Sequence, residues 1–182
     1  MALLSVSSRL LHDVSGAEVA VPDPAALVHL QFRRFAGCPV CNLHLRSIVR
    51  RHAEIEAAGV REVVVFHSTA AALREHVEGL PFPVIPDPTK RLYREFGVES
   101  SRRALLNPRV WPHIARAVSR STWALLRGRE RPPTLMPEGG RWGLPADFLI
   151  AADGTIQASK YGDHAYDQWS VDDLLSLARR AS

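Results

Sequence analysis

Residues 27–58 constrain the fold more than any other stretch: an alternating apolar strand passes through a short loop into a long helix, and both cysteines of the chain stand at that join. Leu27 to Phe32 alternates apolar and polar positions as a half-buried strand does, and Pro39 to Ala58 reads as a helix closed by Gly59. Glu62 to Phe66 follows as a run of β-branched and aromatic residues, which predicts a second strand. A strand, a helix and another strand in succession favour a parallel pair with a helical crossover.

The remainder continues that alternation. The first dozen residues show no clean period, and Gly16 to Val21 suggests a short strand before the turn-like Pro22, Asp23 and Pro24. Ser68 and Thr69 suit a cap for a helix over Ala70 to Glu78. Phe82 to Pro86 is at best a short strand, because Pro83 and Pro86 lack ladder donors, and Asp87-Pro88 opens a helix from Lys90 to Phe96 that stops at Gly97. From Ser100 to Arg141 the pattern changes, with a helical stretch at Ala115 to Leu126, isolated Trp111 and Trp123, and a loop from Pro132 to Gly140. Regularity returns with a strand at Ala146 to Ile150, a turn at Asp153-Gly154 and a strand at Thr155 to Ser159. Ser170 then caps a helix from Val171 to Arg179, with Asp172 and Asp173 facing the positive end of its dipole. The expectation is an α/β chain: one domain over 1–182, a mixed sheet flanked by helices on both faces, and an insertion at about 100–142 before the final hairpin. That element order is similar to the thioredoxin-like architecture.

Charge and composition exclude several classes. The chain carries a net charge of +4, but Arg102 to Arg141 holds nine Arg against Glu130 and Glu138, so the basicity is local. The stretch lacks a nucleic-acid motif or regular aromatic interleaving, which argues against nucleic-acid binding and for a lid or partner-docking surface. No apolar run approaches the roughly 18 residues that span a bilayer, and Met1 to Leu11 lacks the basic start of a secretory signal, so a cytoplasmic protein without a membrane partner is expected. Two cysteines cannot staple a small secreted fold, and spaced as C-x-x-C they indicate redox chemistry or metal.

Cys38, Pro39, Val40 and Cys41 open the first helix. Cys38 falls near the N-cap, where free N–H groups and the helix dipole favour a thiolate, so a lowered thiol pKa is expected. Cys41 lies one turn deeper on nearly the same face, within reach of a disulfide, and is placed to resolve whatever Cys38 attacks. Pro39 suits the first turn, where its missing N–H is no loss. The competing reading is a zinc half-site: after Cys38, Cys41 and His44 the sequence shows no further Cys and no obvious His pair, so a metal would be shared between two chains.

Phe32 to Asn42, with Arg34, Gly37 and the CPVC run, resembles the peroxiredoxin-like branch of the AhpC/TSA group in the thioredoxin superfamily. Gly143 to Ile150 with Asp153-Gly154, and Tyr161-Gly162 followed by Trp169-Ser170, resemble that group's later strand and tail. The resemblance spans roughly 16–99 and 143–180. It implies that Leu144-Pro145 is a cis peptide placed against the active disulfide, where backbone receives a substrate strand; the alternative is an ordinary strand-start proline. Where typical members carry Pro and Thr, seven and three residues before the reactive cysteine, this chain has Gln31 and Phe35, so the usual peroxide-binding hydroxyl is absent.

Arg34 lies four residues before Cys38 and can polarise a peroxide or hold an anionic substrate there, the alternative being a solvated strand-end charge. His44 is read as solvent-facing or satisfied rather than a proton shuttle, and His67 as a strand-end residue near where α/β sites gather. Asp147 is either a buried base for Cys41 or a surface carboxylate. The leading expectation is an oxidoreductase with Cys38, Cys41, Arg34 and Pro145 in its site. Its substrate is a peroxide or a disulfide, and its reductant a cellular dithiol such as a thioredoxin or a low-molecular-weight thiol; no bound cofactor is required. The alternative is a redox-responsive module that docks a partner through the Arg-rich insertion.

Overall fold

A computed structural model describes residues 4–98 and 144–181 and the single positions 115 and 119, leaving aside the side chains of Pro39 and Val40. The expected insertion at about 100–142, with Trp111 and Trp123, lies outside the described residues apart from helical Ala115 and Ser119.

The described chain runs β1 (Arg9–His12), β2 (Glu18–Val21), β3 (Leu27–Arg33), α1 (Pro39–Arg50), α2 (His52–Ala57), β4 (Val60–Phe66), α3 (Ala70–Arg74), β5 (Val84–Pro86), α4 (Arg91–Glu95), β6 (Ala146–Ile150), β7 (Ile156–Tyr161) and α5 (Val171–Ala181). Five strands form one sheet in the order β5-β4-β3-β6-β7, with β3-β4 and β4-β5 parallel and β3-β6 and β6-β7 antiparallel. This is the mixed sheet expected from the alternation: parallel where a helix crosses over, and antiparallel on both sides of β6, which pairs with β3 and through the final hairpin with β7. No helix among the described residues is long and apolar enough to cross a membrane.

Period-2 alternation sorts β3 between two layers. Val28, Leu30 and Phe32 pack with Val63, Val65, Phe148 and Ile150 beneath the β1-β2 hairpin and α4. There Phe32, Phe96 and Phe148 form a ring cluster with centroids 5.1 to 5.8 Å apart. On the opposite face Val64, Phe66 and Leu149 pack with Cys41, Leu45 and Ile48 of α1, Ile55 of α2, and Leu174 and Ala178 of α5.

Several boundaries differ from the sequence reading. β1 was not expected; it pairs antiparallel with β2, Leu11 opposite Val19, and its adjacent Leu10 and Leu11, one exposed and one buried, hid the period. The single helix expected over 39–58 is two, because Arg51 leaves helical geometry at φ −117° and ψ 19° while its guanidinium bonds Glu54 and Asp172. The helix expected to reach Glu78 ends at Arg74 after a Thr69 cap. Other signals hold. Asp87 caps α4 through both oxygens, accepting from Arg91 N at 2.9 Å and Leu92 N at 2.8 Å. Ser170 and Asp173 form a reciprocal capping box, with Asp173 N donating to Ser170 Oγ at 3.1 Å and Ser170 N to Asp173 Oδ2 at 3.0 Å.

Candidate active site

The loop from Arg34 to Cys38 joins β3 to α1 and is pinned to the end of β4. His67 N donates to Arg34 O at 3.3 Å, Ala36 N to Ser68 Oγ at 3.0 Å, and Cys38 N to Phe35 O at 3.2 Å. Gly37 takes φ +72°, a left-handed conformation that glycine adopts without a Cβ penalty. The chain thereby turns sharply enough to start α1 at Pro39.

Cys38 is the N-cap of α1, as expected, and its sulfur does the capping: Sγ accepts from Cys41 N at 3.4 Å. A second donor, Arg34 Nη1, lies 3.7 Å from the same sulfur, so Arg34 is a buried neighbour of the thiol rather than a solvated strand-end charge. Its Cζ also sits 5.2 Å from the centroid of the Phe35 ring. Neither cysteine is in a disulfide, and each is only 1% exposed. Burial first, then the hydrogen bond and charge of Cys38, push the Cys41 thiol well up, and Arg34 opposes them only in part. Cys41 is therefore a protonated thiol held against the Cys38 sulfur.

Behind the dithiol, the sheet face covered by α1 and α5 carries an alternating chain of buried charges. His29 stands opposite Glu62 in the β3-β4 register and meets its carboxylate at 2.8 Å through Nδ1. Its Nε2 lies 3.3 Å from Asp147 Oδ1, which also accepts from Arg33 Nη2 at 2.7 Å, and Gln31 bridges Glu62 and Arg33. Burial alone would lower the pKa of His29, but Glu62 and Asp147 raise it to about 9, so the ring is an imidazolium. Burial works to raise Asp147, yet Arg33 and His29 hold it well below the usual carboxylate range. Glu62, His29, Asp147 and Arg33 thus run negative, positive, negative, positive and sum to zero.

Several candidate residues turn out differently. Asp147 is neither a surface carboxylate nor a base aimed at Cys41, since its oxygens serve Arg33, His29 and the Trp169 N–H. His44 is buried rather than solvent-facing; its Nε2 has no hydrogen-bond partner among the described residues, and burial followed by the charge of Arg33 lowers its pKa to about 3. It stays neutral and edge-on to Tyr166. His67 packs between the rings of Phe35 and Tyr93, with centroids 6.4 and 5.7 Å away.

Pro145 corrects an expectation. The cis peptide among the described residues joins Val21 to Pro22, so Leu144-Pro145 is trans. Pro145 simply extends the β6-β7 ladder, its carbonyl accepting from Gly162 N at 2.9 Å, which is the strand-start role. Among the described residues no group of three His, Cys, Asp or Glu side chains could hold a metal ion.

The sequence reading missed His29, Glu62, Ser68, Tyr93 and His76. Tyr93 OH donates to Val65 O at 3.0 Å and also to Arg33 O, fastening α4 to the strand ends beside the loop. The one local hint was Gly37 itself, whose missing side chain leaves room for the ring of His76.

A family model described as AhpC/TSA antioxidant enzyme matches residues 47–164, well over half of the chain, beginning just past the two cysteines. No curated protein matches the sequence. Among solved structures, peroxidoxin BcpB from Mycobacterium tuberculosis matches with a TM-score of 0.70 at 14% identity, covering 100% of this chain and 99% of that one. Peroxiredoxin 6 of Arenicola marina, in a cysteine-to-serine mutant form, matches with a TM-score of 0.69 at 14% identity over 98% of this chain and 73% of that one. Peroxiredoxin Q of Xanthomonas campestris matches at 0.65 and 13% identity, covering 99% of this chain and 96% of that one. At these identities the solved structures establish the shared fold.

Proposed function

Since this chain belongs to the AhpC/TSA antioxidant enzyme family, thiol-dependent oxidoreductases of thioredoxin-like fold, we propose that it reduces peroxides or disulfides with Cys38 as nucleophile and Cys41 as resolving thiol. One observation carries the reading: the Cys38 sulfur accepts from the Cys41 N–H at a helix start and lies 3.7 Å from the Arg34 guanidinium. Both donors favour the anionic form of the sulfur. Cys41, kept protonated by burial and by its neighbour, stays out of the first step.

With a disulfide substrate, the Cys38 thiolate attacks one sulfur, the substrate S–S bond breaks, and the departing thiolate is protonated. Cys41 then loses its proton to solvent and attacks Cys38 Sγ, releasing the second thiol and leaving a Cys38-Cys41 disulfide. With a hydroperoxide, Cys38 takes the distal oxygen to become a sulfenic acid, the alkoxide or hydroxide leaves as alcohol or water, and Cys41 then attacks Cys38 Sγ and releases the transferred oxygen as water. In either case the substrate gains two electrons and the protein loses them. The pair is then reduced by two electrons from a cellular dithiol, such as a thioredoxin-type protein, or from two low-molecular-weight thiols.

The substrate class is tested by mixing reduced protein with hydrogen peroxide, an organic hydroperoxide and a model protein disulfide and comparing single-turnover rates of Cys38 oxidation. One of the three is expected to react far faster than with a free thiol. Rates at the free-thiol level for all three would end the proposal.

A further inference from the structure

A nucleophile that is 1% exposed cannot meet a substrate until something over its loop moves. One side chain lies close against that loop. A Cβ placed on Gly37 would lie 2.8 Å from His76 Cε1, 3.0 Å from Nε2 and 3.2 Å from Nδ1. The imidazole therefore occupies the space that a side chain at position 37, the residue before Cys38, would take. His76 comes from the turn that follows α3, which is distant in sequence from the loop it covers.

The backbone that carries His76 is shaped by local turn bonds. His76 N and Val77 N both donate to Leu73 O, at 2.8 and 3.1 Å, and Leu80 N donates to Val77 O at 3.1 Å. Gly79, at φ +81°, then reverses the chain. Two anchors lie just before the turn: Leu73 is fully buried, and Arg74 Nε donates to Val14 O at 3.2 Å. A half-buried ring carried on a single turn is a wall that displaces more easily than the sheet or α1.

We propose that His76 is a specificity-determining residue, a movable wall over Gly37 that sets how large a group reaches the Cys38 sulfur. The assignment rests on the reading of Cys38 as the reactive thiol. A wall of this kind filters by size: a slight displacement of the ring admits small reagents, and bulky ones need it pushed fully aside.

The test measures alkylation of Cys38 in the Cys41→Ser protein, where it is the only thiol, by iodoacetamide and by a pyrene-bearing maleimide. His76→Ala is expected to raise the ratio of bulky to small rates by about tenfold, equivalent to about 1.4 kcal/mol of barrier. His76→Trp, which enlarges the wall, is expected to lower that ratio, and it keeps the test decisive should the alanine variant fold poorly. A reactive Cys38 whose ratio is the same in all folded variants overturns the assignment of His76 and leaves the dithiol reading standing. A Cys38 inert to both reagents in the folded protein, yet alkylated in denaturant, overturns both.

Discussion

The guanidinium of Arg34 and the sulfur of Cys38, four residues apart in the chain, meet inside the protein with Nη1 3.7 Å from Sγ. A positive charge at this distance stabilises the thiolate over the thiol. Arg34→Met is expected to make Cys38 titrate about one pH unit higher, read from the ultraviolet absorbance of the thiolate in the Cys41→Ser protein. Arg34→Lys should recover part of the effect, because it keeps the charge and loses the planar fork. Identical titration in all three proteins would remove Arg34 from the site.

Two buried histidines pull stability in opposite directions as pH changes. His29 has a folded pKa raised from 6.5 to about 9, so its contribution is complete below 6.5 and is lost as pH rises through 9. His44 has a folded pKa lowered from 6.5 to about 3, so the protein loses stability as pH falls below 6.5 and the unfolded chain takes up the proton. Together they place the optimum of the reduced protein near 6.5, to be measured by urea unfolding across the range. His29→Gln should flatten the alkaline limb and His44→Leu the acid limb. Limbs unchanged by these substitutions would show that other groups set the profile.

Asp87 accepts three N–H groups of α4, those of Arg91, Leu92 and Tyr93, while 6% exposed. Asp87→Ala should cost about 1–2 kcal/mol of unfolding free energy. Because α4 carries Tyr93, whose hydroxyl holds the end of β3, the same variant should also slow oxidation of Cys38. Asp87→Asn, which keeps acceptor capacity, should fall between the two.

Gly37→Ala meets two obstacles, the positive φ and the ring of His76. The expected loss is about 1–3 kcal/mol, measured by urea unfolding. Adding His76→Ala should recover the steric part and leave the backbone part, a non-additivity that a double-mutant cycle would detect. Strict additivity would mean that the ring yields at no cost.

The sequence made the dithiol and its scaffold readable because both depend on local periods. Leu27 to Phe32 repeats every second residue, the helix opened by Pro39 does not, and Cys38 stands at the change, which places it at an N-cap before any tertiary contact is known. The charge chain was invisible for the opposite reason. His29 and Glu62 are 33 residues apart and become neighbours only when β3 pairs with β4, and Arg33 reaches Asp147 only when β6 joins the other edge of β3. Asp147 could be read both ways because strand parity alone does not say which face is wet, and here neither is. His76 left no trace in its own segment, since a turn residue has no period, and the only hint stood at its partner Gly37.

The two faces of β3 differ so sharply that the strand cannot slide. A shift by one residue would drive His29 and Arg33 into the cluster of Phe32, Phe96 and Phe148, and would leave Glu62 and Asp147 without counter-ions on the other side. Mispairing is penalised on both surfaces at once. An inserted or deleted residue within 27–33 should therefore fail at the level of sheet assembly, before any question of thiol chemistry arises.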